Sequence, residues 1–139
     1  MDPATPLYMK ALQLALAGAT GTLARWGVYA GCDWAKGKWD FSLPLATLTV
    51  NVVGSFLFGL IWAACDRGQL SMHTRWLLLG GFMGAFTTFS SFAFDTGDLI
   101  AKQQYLGAAA NVMANNVLGI GAFFVGLWAA TLLPHSSAS

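Results

Sequence analysis

Apolar residues do not alternate along this chain. They come in long blocks, at about 8–30, 43–65, 75–99 and 105–133, separated by short polar segments such as "CDRGQLSMHTR" and "AKQQY". Each block reaches the roughly 20 residues an α-helix needs to cross a hydrocarbon core of roughly 30 Å. The pattern therefore predicts an all-α membrane protein with four transmembrane helices, forming one transmembrane domain over residues 1–139. The first block, "YMKALQLALAGATG", has the look of a signal peptide, with Lys10 ahead of an apolar run. Because the run continues through "TLARWGVYAG", it reads as a span.

Polar residues recur inside the blocks at helical spacing. Thr47, Asn51 and Ser55 in span two fall at i, i+4 and i+8, on one helical face. Asn111, Asn115 and the small Gly119 repeat the device in span four, with Asn116 turned onto the next face. An amide at membrane depth serves either as interhelical glue or as part of a polar route, and both readings stay open for Asn51. The small-residue pairs Gly80-x-x-x-Gly84 and Ser55-x-x-x-Gly59 predict close helix contacts and a partner, most economically a second copy of the chain. Arg25 and Asp95 fall within a turn or two of the predicted span ends, where Arg25 would snorkel to the interface. They are the charged candidates for a vestibule.

Span three carries "GGFMGAFTTFSSFAFD", residues 80–95. Gly80, Gly81 and Gly84 remove side chains, while Thr87, Thr88, Ser90 and Ser91 bring hydroxyls that compete for backbone hydrogen bonds. A helix break is expected here. At bilayer depth it needs protein, water or an ion to take up the freed peptide groups, although a kink filled by neighbouring hydroxyls would also serve. Phe82, Phe86 and Phe89 are spaced to form an aromatic face, extended by Phe92. Such faces usually contact lipid or core, but ring edges are electropositive and would attract a small anion without trapping it.

Composition narrows the class. The chain is 56% hydrophobic and 9% charged, with seven Lys and Arg against six Asp and Glu, too few charges to coat a soluble globule. The net charge of +1 gives no reason to expect a nucleic-acid partner. With four spans, Lys10, Arg67 and Arg75 lie on one side and Arg25, Lys36, Lys38 and Lys102 on the other. That near balance gives the positive-inside rule little to act on; either loop charges are simply sparse, or copies insert in both directions and could pair as an antiparallel dimer. Cys32 and Cys65 are predicted at opposite membrane faces, too far apart for a disulfide. His73 and His135 read as surface residues, and no Cys/His spacing suits a metal. So few ionisable groups do not assemble a nucleophile, base and orienting acid, which points away from an enzyme.

At span three the chain resembles a known family. "GFMGAFTTFSSF" is similar to the signature of the small bacterial fluoride channels, the Fluc or CrcB family; "GATGTLARW" in span one and "ATLTVNVVG" in span two agree, as do the number and order of spans. The resemblance implies a dual-topology antiparallel homodimer in the lipid of a bacterial inner membrane, with two fluoride pathways and one structural sodium ion (Na+) per dimer. By position, the carbonyls of Gly84 and Thr87 would hold the sodium where two broken third helices meet. Phe89 and Phe92 would line each pathway, with the Asn51 amide nearby. Ser91 stands where the family often has threonine, and Ala85 where it often has glycine. Asp95 stands where glutamate is expected, and Asn115 replaces a short hydroxyl or histidine.

The implied function is passive export of fluoride. Hydrogen fluoride enters as a neutral acid and dissociates, and the membrane potential drives the anion out past Asn51, Ser90 or Ser91, Phe89, Phe92 and Asn115. Two other readings fit four short spans. A multidrug exporter of dual topology would normally need a carboxylate at depth in span one, which the sequence lacks. A non-transporting assembly subunit would carry no ion flux by itself.

Overall fold

The computed structural model describes residues 5–36 and 43–133. Lys38 and His135, and the side chain of Lys36, lie outside the described residues. Among those described the chain is helical with no strand: α1 (Leu7–Lys36), α2 (Leu45–Asp66), α3 (Met72–Arg75), a π-helical run (Trp76–Met83), α4 (Gly84–Phe86), α5 (Phe89–Ala101) and α6 (Tyr105–Ala130). Three segments are long and apolar enough to cross a membrane: Leu45–Asp66, Met72–Ala101 and Tyr105–Ala130. At 30 residues α1 is long enough, but it is too polar to be counted with them. It also outruns its predicted end by six residues, so Arg25 sits about three turns inside the helix rather than near its end.

Glycines set the helix pairing. A Cβ on Gly59 would overlap the Phe123 carbonyl of α6, and one on Gly126 would overlap the Phe56 carbonyl of α2. Each helix thus offers a bare backbone to the other's carbonyl, a distance at which weak Cα–H···O contacts form. Asn51 meets Asn115, Ser55 approaches Gly119 and Gly59 meets Phe123, so α2 and α6 run parallel. Small residues pair α1 in the same way. Gly81 meets Leu14 and Ala17, while Gly21 meets Phe82 and Ala85, so α1 runs parallel to the first half of the third span. Of the two expected small-residue pairs, Gly59 makes its contact. Gly80 and Gly84 are exposed, and Gly81 takes the role assigned to them, with its Cβ position only 2.7 Å from that of Ala17.

The reason is local geometry. Trp76–Met83 winds with i→i+5 pairing, a coil wider than the α-helix on which the Gly80/Gly84 spacing was counted. Leu79, Met83 and Phe86 from this region and Val50 from α2 form the buried core, which leaves the outer faces of α1 and α6 strongly apolar. Such faces suit lipid or another copy.

The third span is broken as the glycine and hydroxyl pattern predicts. After Phe86 the chain is extended at Thr87 (φ −77°, ψ 158°) and Thr88 (φ −151°, ψ 109°), and the helix restarts at Phe89. Thr88 caps the new helix by accepting from the Ser91 N–H at 3.2 Å.

Candidate functional site

An open cleft of about 480 Å³ lies at the break. Asn51, Gly54 and Ser55 of α2 form one wall and Asn115, Asn116 and Gly119 of α6 another, while Thr87 to Phe89 and Phe92 close it from the broken helix. Among the described residues no charged side chain lines it. Gly54 is required here, because a Cβ at that position would overlap the methyl of Thr87 and crowd the Phe86 ring at 3.2 Å.

Asn51 fills the gap in the backbone ladder. Its Oδ1 accepts from the Thr88 N–H at 2.9 Å, and its Nδ2 donates to the Thr88 carbonyl at 3.3 Å. The side-chain amide therefore acts as a substitute peptide for the residue whose helical partners are lost. A second Nδ2 hydrogen bond goes to Asn115 Oδ1 at 3.0 Å. Asn115 Nδ2 in turn donates to Asn111 Oδ1 at 3.0 Å and to the Asn111 carbonyl at 3.1 Å. Asn111, only 2% exposed, donates to Thr96 Oγ1 at 2.9 Å, and Thr96 donates to the Phe92 carbonyl at 2.8 Å. One directional chain thus runs from the Thr88 N–H to the carbonyl of Phe92 through three helices.

A second relay sits on the same face of α2. The Thr47 hydroxyl donates to Asp95 Oδ2 at 2.6 Å, and since its single proton is engaged there, Tyr29 donates to it at 2.9 Å. Thr47 is 2% exposed. Asp95 is thereby tied to α1 and α2; neither it nor the half-buried Arg25 lines the cleft.

The aromatic residues divide at the break. Phe82 and Phe86 stack at 5.9 Å with nearly parallel planes, and Phe86 is buried. Phe89 is 79% exposed and pairs instead with Phe92, at 5.4 Å and 58°. The single face expected from Phe82, Phe86 and Phe89 does not form, because two extended residues reset the helical rotation between Phe86 and Phe89. Ser90 is exposed and Ser91 half-buried, and neither lines the cleft. The Thr88 hydroxyl donates to Ser91 Oγ at 3.0 Å and is met by Ser90 Oγ at 3.2 Å, so the serines brace the cap.

Sequence reasoning missed Thr88, Thr96 and Tyr29 as parts of the site. A threonine directly ahead of the apolar Phe89 is a helix-start signal that would have found the first. Nothing local marks the other two, whose roles depend on helices far away in sequence.

These features define a multi-pass helical membrane protein with an uncharged polar and aromatic cleft beside a broken helix. Residues 12–127 match the family described as CrcB-like protein, Camphor Resistance (CrcB), and the chain belongs to that family. It is 47% identical over 115 residues to the fluoride-specific ion channel FluC of Solidesulfovibrio magneticus, covering 82% of this chain and 90% of that relative. Proteins of the same name from Parabacteroides distasonis and Nitrosococcus oceani are each 41% identical, over 119 and 121 residues; both matches cover 86% of this chain, and they cover 91% and 94% of the relatives. These relatives are ion channels, and the chain is a transport protein rather than an enzyme.

Proposed function

We propose that the chain is a passive fluoride-selective channel that exports cytoplasmic fluoride across a bacterial inner membrane, working as an antiparallel homodimer with two pathways. The observation that carries this reading is the cleft itself. It joins the Phe89 and Phe92 rings, the Asn51 and Asn115 amides and the helix break in one uncharged space. A strongly hydrated anion needs replacement donors along its route, and it leaves again only if no fixed positive charge holds it. Electropositive ring edges and the neutral polar groups of the cleft wall meet both needs. The names of the relatives point to the same ion.

The packing of α1 supports a reading of four spans rather than three. It runs parallel to the first half of the third span, with Gly21 against the Phe82 carbonyl, as a crossing helix in an alternating bundle would. The near balance of Lys and Arg between the two sides supports insertion in both directions. Gly80, Gly84 and Phe89 are exposed along the broken span, which leaves that surface available to a second copy. Arg25 and Asp95 would then serve a vestibule beyond the cleft.

The residues also fit a structural sodium at the dimer axis. In an unbroken helix the Gly84 and Thr87 carbonyls would accept from the N–H groups of Thr88 and Ser91. Those N–H groups instead donate to Asn51 Oδ1 and Thr88 Oγ1. Two neutral carbonyls thus lose their helical donors at the break, and neutral carbonyl dipoles suit a desolvated monovalent cation. Among the described residues no three His, Cys, Asp or Glu cluster to offer a side-chain site. The ion would neutralise carbonyl dipoles that the break leaves open.

The test is an electrode recording of fluoride leaving loaded liposomes that contain the purified protein, with chloride as control. Fluoride efflux with negligible chloride efflux is expected. Absence of any fluoride efflux would favour a non-transporting assembly subunit.

A further inference from the structure

The hydrogen-bond inventory of the cleft separates residues that build its wall from residues still able to meet an ion. Both Nδ2 hydrogens of Asn51 are engaged, one by the Thr88 carbonyl and one by Asn115. Those of Asn115 are engaged by the carbonyl and side chain of Asn111. The Thr87 hydroxyl donates to the Met83 carbonyl and the Thr88 hydroxyl to Ser91. An anion taking a hydrogen bond from any of these would have to break one already made inside the protein.

Two lining residues are different. The Ser55 hydroxyl has no hydrogen-bond partner among the described residues. Asn116 uses Nδ2 once, toward the Val112 carbonyl of its own helix at 2.8 Å, which leaves its second N–H and its Oδ1 open. Ser55 sits at the middle of the 22 residues of α2, and Asn116 near the middle of the 26 of α6. Asn116 is exposed, so at that depth an open amide would be costly against lipid. Facing an ion route removes that cost.

We propose that Ser55 and Asn116 are the side chains that donate hydrogen bonds to the anion in the cleft, while Asn51 and Asn115 hold the wall in shape. The assignment rests on the fluoride-channel reading above. Ser55 presents its hydroxyl from the α2 wall and Asn116 its free N–H from the α6 wall, one from each side of the cleft. Both donors are neutral, so the ion is exchanged for water without being trapped.

The test measures fluoride efflux per folded protein as a function of fluoride concentration. Ser55→Ala, Ser55→Cys and Asn116→Leu are compared with the parent chain in the same liposomes. Ser55→Cys keeps size and replaces a strong donor by a weak one. Asn116→Leu removes only a bond within one helix, so it spares the fold. Each variant is expected to lower efflux at low fluoride by roughly tenfold and to raise the half-saturating concentration. Parental rates and half-saturation in Ser55→Cys and Asn116→Leu overturn the assignment and leave the channel reading intact. A parent chain that conducts no fluoride overturns both.

Discussion

Asn51 and Thr88 pair edge to edge, side-chain amide to backbone peptide, with Thr88 N–H to Oδ1 at 2.9 Å and Nδ2 to the Thr88 carbonyl at 3.3 Å. Glue and route, the two roles open to an amide in span two, thus meet in one residue that lines the cleft and closes the broken ladder. Asn51→Ala should strand both peptide groups of Thr88 at a cost of about 1–3 kcal/mol for each. The expected outcome is a clear fall in the melting temperature of the detergent-solubilised protein, together with slower fluoride efflux. An unchanged melting temperature would mean that Thr88 finds other partners.

Thr47 is predicted to matter through its hydroxyl alone. Thr47→Val keeps the shape but leaves Asp95 Oδ2 without its donor and the Tyr29 hydroxyl without its acceptor in a buried place, a loss of about 1–3 kcal/mol. Thr47→Ser should recover most of it. Denaturation of the three proteins side by side checks this, and equal stability of Val and Ser variants would count against the relay.

Gly59→Ala and Gly126→Ala each place a methyl into a carbonyl of the facing helix. Overpacking of this kind costs about 1–3 kcal/mol. Gly31→Ala, which meets nothing within 4 Å, should be neutral or slightly stabilising. Thermal melts of the three variants separate packing from helix propensity.

Phe89 is 79% exposed in the single chain, so its ring contributes little to the fold of one copy. Phe89→Ile is therefore expected to cut fluoride efflux by roughly tenfold or more, since a branched alkyl group has no electropositive edge. The variant should still elute from a sizing column at the volume of the parent protein. Normal efflux would remove the ring from the mechanism.

The helical segments and the polar stripes were legible because apolar length and i, i+4 spacing are local properties of the sequence. The break was legible in composition, through Gly84 and the Thr and Ser residues that follow. Its position was not, because the two extended peptides are held by Asn51, 37 residues away in the chain. For the same reason the phenylalanine face was overextended: helical spacing counted across Thr87 and Thr88 loses its meaning where the helix stops. The relay through Thr96 and Asn111 depends on α5 meeting α6, which no short window of sequence contains.

The wide coil of Trp76–Met83 makes the length of this segment matter as much as its letters. Removing one residue would allow the backbone to rewind as an ordinary α-helix, in which each residue turns by ~100° instead of the smaller step of the wider coil, so the faces presented within the segment would change. Gly81 would turn away from Ala17, and a larger neighbour would be driven against α1. Exchanges of one apolar residue for another should be accepted here far more readily than any insertion or deletion.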